Sequence, residues 1–139
     1  MLGGIEVPFD RGLEGWSDAD ALAHAIIDAM LGAAALGDIG GHFPPGEPQY
    51  KDISSLVLLA KTRGKLTENG WRLNNIDATI MAEQPRLADF IDRIREQLAR
   101  TLDINTGQVS VKASTANGLG FIGRGEGMAA YAVVTLEEM

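Results

Sequence analysis

Near the N-terminus Ile5, Val7 and Phe9 alternate with polar or small residues, which predicts an early strand, and Asp10-Arg11-Gly12 then turns the chain. Ser17 is a good N-cap, with Asp18 and Asp20 placed where the helix dipole favours acids; a first helix is expected to run to about Leu36, with Gly37 as its stop. Residues 37–53 show no period and read as a long loop, a length that in compact domains is usually functional. Ser54 or Ser55 caps a second helix carrying Leu56, Leu58, Leu59 and Leu66 and ending near Asn69-Gly70. Trp71 to Met81 reads as a strand through Leu73, Ile76, Ala78 and Ile80, with a bulge expected at Asn74-Asn75. Pro85 opens a third helix over 86–101, with Leu87, Phe90, Ile91, Ile94 and Leu98 at helical spacing. Val109, Val111 and Ala113 form another strand, 115–127 a glycine-rich turn, and Tyr131, Val133 and Thr135 mark the last strand. The pattern is that of one α/β (α+β two-layer) domain, a mixed β-sheet covered on one face by three helices.

One helical layer leaves the other sheet face to be covered. Val109, Val111 and Ala113, with Ala129, Tyr131 and Val133, are too apolar for a wet surface, so self-association through that face is expected. At 139 residues a single core needs no staples. No cysteine is present, which excludes disulfides, thiolate metal sites and cysteine nucleophiles, so a metal must rest on histidine and carboxylate. A net charge of −7 argues against nucleic-acid binding but leaves a small phosphorylated ligand open. No apolar run is long enough for a bilayer, and the N-terminus lacks the form of a secretory leader, so no membrane association and a cytoplasmic location are expected.

Candidate chemistry starts on the first helix. Asp20, His24 and Asp28 are spaced i, i+4, i+8 and share a stripe, the arrangement of a metal-binding imidazole oriented by an acid, or of a surface helix with two solvated acids. Asp38 follows in the loop, and His42 is either a further ligand or merely exposed. Ser114-Thr115-Ala116-Asn117-Gly118 opens from a strand end with hydroxyls and N–H groups suited to a diphosphate, and equally suited to a plain turn. Gly123-Arg124-Gly125-Glu126-Gly127 is a phosphate clamp or a hairpin with an internal ion pair. Ala82-Glu83-Gln84-Pro85-Arg86-Leu87 joins strand to helix and offers backbone groups to a base or phosphate. Trp16 walls a pocket or staples the helix end.

Taken in order, the blocks LGGIEVP, SDADALAHAIIDAMLGAAALGDIGGHFP, ISSLVLL, IMAEQPRL, VKASTANGLGF and GRGEGMAAYAV resemble the 2-C-methyl-D-erythritol 2,4-cyclodiphosphate synthase family over nearly the whole chain. The resemblance implies a homotrimer with active sites between subunits, which closes the 2-phosphate of a cytidine diphosphate-linked methylerythritol onto the β-phosphate and expels CMP, assisted by zinc and magnesium. It makes His24 a metal ligand, and it places Trp16, Ser17 and Thr115 close to the reacting phosphates. Asp38, Ile39 and Gly40, with the loop Phe43, Pro44, Pro45, Gly46 and Glu47, would contact the methylerythritol phosphate. Ala82, Glu83, Gln84, Pro85, Arg86 and Leu87 would hold cytosine, and Ser114, Thr115, Ala116 and Asn117 the diphosphate. Phe121 and Arg124 would lie near the trimer axis, where family members hold a prenyl phosphate. The family's N-terminal Asp-x-His strand, which carries two more metal ligands, would lie before Met1. Trp16 stands at a usual histidine, Asn117 at a usual magnesium-holding acid, and Pro45-Gly46-Glu47 in a loop that often carries two acids. Two readings result: an active cyclase, or an impaired trimer of the same fold that binds cytidine nucleotide or prenyl phosphate without turnover.

Overall fold

Ile76, Ala78 and Ile80 are fully buried while Asp77 and Thr79 between them are only partly so. That alternation is β1 (Trp71–Met81), the middle strand of the sheet. The computed structural model describes residues 1–7, 20–83, 86–125 and 127–139, and among these it forms a three-stranded sheet in the order β2-β1-β3. β2 (Val109–Ser114) runs parallel to β1, with Ile76 opposite Val109 and Met81 opposite Ser114. β3 (Ala129–Glu138) is antiparallel to β1, and the register slips between Leu73 and Asn75, where the adjacent asparagines placed the bulge.

Three longer helices cover one face, as the hydrophobic periods predict. α1 (Ala21–Ala33) buries Leu22, Ile26, Ile27, Met30 and Leu31 and packs chiefly on β3. The short helix α2 (Ile39–His42) follows it. α3 (Ser55–Glu68), capped by the Ser54 hydroxyl accepting from Leu56 N–H, lies between α1 and α4 (Ile91–Leu102). α4 sits over β2, where the Arg95 guanidinium donates to the carbonyls of Val109 (2.7 Å) and Thr106 (3.1 Å). A one-turn helix, α5 (Gly120–Gly123), precedes β3.

Several boundaries differ from the sequence expectation. The expected strand at residues 5–9 is instead a tight turn at its start: Leu2 and Ile5 exchange backbone hydrogen bonds of 2.9 and 3.0 Å around Gly3-Gly4, both at positive φ (+56° and +77°), and Phe9 lies outside the described residues. Helix α1 is capped by Asp20, not Ser17, and stops at Ala33 rather than near Leu36. Ala35 takes the left-handed conformation expected of Gly37, and Leu36 N–H closes back on the Leu31 carbonyl at 2.8 Å. The loop after α1 holds α2 and a 3₁₀ turn over Pro48–Tyr50. The third helix is split, a 3₁₀ turn over Leu87–Asp89 preceding α4.

The outer sheet face is more polar than expected. Val109 and Val111 turn inward and are buried. Outward stand Asp77, Thr79 and Lys112, the Lys112 ammonium 3.1 Å from Asp77 Oδ2, beside Tyr131 (63% exposed) and Val133 (67%) on β3. No helix among the described residues is long and apolar enough to cross a membrane.

Candidate functional site

Because β1 and β2 are parallel, their carboxyl ends open on the same side, the position where α/β sheets of this type receive ligands. Pairing continues one residue past β1, with Ala82 N–H donating to the Ser114 carbonyl at 3.0 Å. Just beyond, Ala82, Glu83, Arg86, Leu87, Ser114 and Thr115 line a cavity of about 200 Å³. Two segments read separately from the sequence, one for a base and one for a diphosphate, thus meet at a single opening.

The second segment folds around its Asn-Gly pair. Asn117 (φ +53°) and Gly118 (φ +74°) occupy the centre of a turn closed by Leu119 N–H to the Ala116 carbonyl at 3.0 Å, the geometry that this dipeptide favours. Thr115 Oγ lies 3.4 Å from Asn117 Oδ1 and accepts from Asn117 N–H at 3.3 Å, so the hydroxyl sits at the cavity rim with its orientation set locally. Gly123 shows why the next block is glycine-rich: a Cβ there would collide with the Gly118 backbone, so the loop closes only around a bare residue. Of the residues expected in this region, Gln84, Pro85, Glu126, Trp16 and Ser17 lie outside the described residues. Phe121 on α5 is 53% exposed, and Arg124 follows it at the helix end.

The residues read for the methylerythritol phosphate gather elsewhere, at the end of α1. Asp28 Oδ1 accepts the Ile39 N–H at 2.8 Å, and Asp38 Oδ1 caps α2 by accepting the Gly41 N–H at 2.9 Å. His42 Nε2 lies 2.7 Å from the Leu36 carbonyl, which turns that nitrogen into a donor and makes the ring a brace for this loop. Phe43 is buried edge-on to Tyr50, with the Lys65 ammonium 5.5 Å from its ring centre; Glu47 accepts from the Gln49 amide at 2.7 Å. Pro44, Pro45 and Gly46 form the turn between them, closed by Glu47 N–H to the Pro44 carbonyl at 3.2 Å. None of these residues, nor His24, lines the cavity at the strand ends.

The acidic stripe on α1 divides its labour differently from the sequence expectation. Asp20 is only 1% exposed and its carboxylate receives four donors: Gly3 N–H (2.8 Å), Gly4 N–H (2.7 Å), Ala23 N–H (2.9 Å) and Ser55 Oγ–H (2.8 Å). It ties the N-terminal turn, α1 and α3 together and is not the partner that orients His24; Asp28 is committed to Ile39 in the same way. His24 itself is exposed on α1. Among the described residues no three His, Asp or Glu side chains converge, so these residues do not by themselves build a metal site of three protein ligands. Sequence reasoning missed the Asp20 anchor; the signal available was Gly3-Gly4, a turn whose exposed N–H groups need an acceptor.

The profile of the YgbB family matches residues 1–137. The chain is 57% identical to a 2-C-methyl-D-erythritol 2,4-cyclodiphosphate synthase of Moorella thermoacetica over 98% of its own length and 83% of that protein's. Among solved structures it is similar to the bifunctional IspDF of Campylobacter jejuni, with 42% identity, a TM-score of 0.93 and 100% of this chain covered; it spans 38% of that longer chain. It is also similar to the CDP complex of IspF from Plasmodium falciparum, with 26% identity, a TM-score of 0.81 and coverage of 99% of this chain and 82% of that one. The cavity at the parallel strand ends, the turn beside it and the match over almost every residue lead to one conclusion: this chain is a member of the YgbB family.

Proposed function

We propose that this protein is a 2-C-methyl-D-erythritol 2,4-cyclodiphosphate synthase that cyclises 4-diphosphocytidyl-2-C-methyl-D-erythritol 2-phosphate and releases CMP. The observation that supports the reading is that Ala82, Glu83, Arg86 and Leu87 line one cavity together with Ser114 and Thr115, so the segment proposed for the base adjoins the segment proposed for the diphosphate. In the reaction an oxygen of the 2-phosphate attacks the β-phosphorus, the bridging bond to the α-phosphate breaks, and CMP leaves with that electron pair. The attacking oxygen is already anionic at neutral pH, so no general base is required. Catalysis consists of alignment and of donors placed where charge gathers. In this reading the backbone of Ala82, Glu83, Arg86 and Leu87 serves the cytosine and Ser114 to Asn117 serve the diphosphate; the roles near the reacting phosphates that the resemblance gives to Trp16 and Ser17 fall on residues outside the described ones.

The loop 38–47, which receives the methylerythritol phosphate in this reading, does not line the nucleotide cavity of its own protomer. A homotrimer with each site between neighbouring subunits brings the two halves together, through the sheet face that carries Tyr131 and Val133; Phe121 and Arg124 then border the axis, where a prenyl phosphate binds. His24 is the ligand assigned to zinc in this reading, with magnesium on the diphosphate; a divalent metal would neutralise phosphate charge. The deciding experiment is CMP release from the cytidine-linked substrate. Turnover that falls at least about 100-fold in Thr115→Ala supports the synthase. CDP binding with no CMP release under any divalent metal would instead establish a nucleotide-binding trimer without turnover.

A further inference from the structure

Glu83 lines the cavity, and one oxygen of its carboxylate is held by the turn beside it. Its Oε1 accepts the Ala116 N–H at 2.6 Å and lies 3.4 Å from the Gly118 N–H, reaching 33 and 35 residues along the chain. These are two backbone donors of the turn that holds Asn117 and follows Thr115. A single carboxylate oxygen therefore fills the concavity of that turn and ties it to the β1–α4 connection. We propose that Glu83 is a positioning residue: it couples the base-holding segment to the diphosphate-holding turn, and sets Thr115 and Asn117 in place before the nucleotide arrives. The proposal rests on the nucleotide reading of this cavity and adds the device that preorganises it.

Two physical points separate this role from direct contact. A diphosphate is anionic, so a carboxylate beside it repels less when donors already take up part of its charge; here Oε1 accepts from two backbone N–H groups of the turn. Further, Ala116 and Gly118 N–H groups left without an acceptor would free the turn to adopt other conformers, since both its central residues already sit at positive φ. Glutamine retains an oxygen at the same reach without the charge, whereas alanine removes the acceptor altogether.

The test is calorimetry of cytidine and CDP on the full chain, without added divalent metal, together with hydrogen exchange at Ala116 and Gly118. Wild-type protein should bind CDP more tightly than cytidine. Glu83→Ala should lose about tenfold or more in CDP affinity, the equivalent of one charge-assisted hydrogen bond, while cytidine affinity holds within about twofold. Exchange at both amides should rise in Glu83→Ala and stay protected in Glu83→Gln, which should bind CDP at least as well as wild type. Equal losses for cytidine and CDP, unaltered exchange in Glu83→Ala, or a glutamine variant as poor as alanine would each overturn the coupling role. A glutamine variant whose defect appears only when magnesium is added would make Glu83 a metal ligand instead. Wild-type protein that binds neither ligand defeats the nucleotide reading; protected amides that Glu83→Ala releases would then still establish the turn anchor, and unaltered exchange would remove that too. Glu83→Gln keeps the test decisive if the alanine variant fails to fold.

Discussion

At the scale of single residues the molecule depends on carboxylates that serve the backbone. Asp20 is the extreme case: buried, ionisable and matched by four donors from three parts of the chain. Asp20→Ala strands the N–H groups of Gly3, Gly4 and Ala23, each costing roughly 1–3 kcal/mol when left unsatisfied. A loss of about 3 kcal/mol or more in urea unfolding is expected, whereas Asp28→Ala, at an exposed hydrogen bond, should cost about 1 kcal/mol or less. His24 belongs to the other class, an exposed imidazole with chemistry to offer. Its replacement by alanine should leave the melting temperature nearly unchanged while lowering zinc affinity by at least about tenfold, since loss of even an outer partner has that effect. Zinc binding by inductively coupled plasma analysis that is identical in the two proteins would assign the metal to other ligands.

At the scale of elements, what could be read in advance follows from periodicity, and what could not follows from long-range partners. Strand β1, its bulge at Asn74-Asn75, helix α3 with its Ser54 cap and both later strands were legible because each is written in local pattern and turn chemistry. The start of α1 was not: Ser17, Asp18 and Asp20 are all competent caps, and the choice of Asp20 depends on Gly3, Gly4 and Ser55, which lie far off in sequence. The inward turn of Val109 and Val111 was equally invisible, since alternation says which residues share a face but not which face is covered. In the site, the two cavity segments were legible as strand ends rich in donors, while the side-chain role of Glu83 needed the fold. The β1–α4 connection carries its own prediction: if it cradles the cytosine, as proposed, CDP should bind at least about tenfold more tightly than ADP, because a site fitted to a pyrimidine penalises the larger purine. Equal affinities by calorimetry would remove the cytosine assignment.

At the scale of the whole molecule, the sheet face opposite the helices carries no element among the described residues. Its polar half pairs Lys112 with Asp77, whose Oδ1 is buried with no hydrogen-bond partner among the described residues; its apolar half is Tyr131 and Val133. Two exposed apolar side chains side by side on one strand are better suited to face another protein surface than bulk water. Val133→Asp should therefore shift a trimer at micromolar concentration to monomer in sedimentation velocity, with the monomer retaining its helical circular dichroism. A wild-type chain that sediments only as monomer removes the subunit-interface account of the site.

The strand order β2-β1-β3 also bears on how the chain reaches its native state in time. β1, α4 and β2 form a contiguous stretch, Trp71 to Ser114, whereas α1 and β3 must find each other across more than 90 residues. Loop-closure entropy favours the contiguous stretch as the nucleus, with α1 and β3 joining after the rate-limiting barrier. Trimming Ile94→Val in α4 should then slow folding, while Ile27→Val in α1 should chiefly hasten unfolding, a division that stopped-flow chevrons read directly. The cavity at the ends of β1 and β2 would on this order take shape before the strand that carries the exposed apolar face has docked.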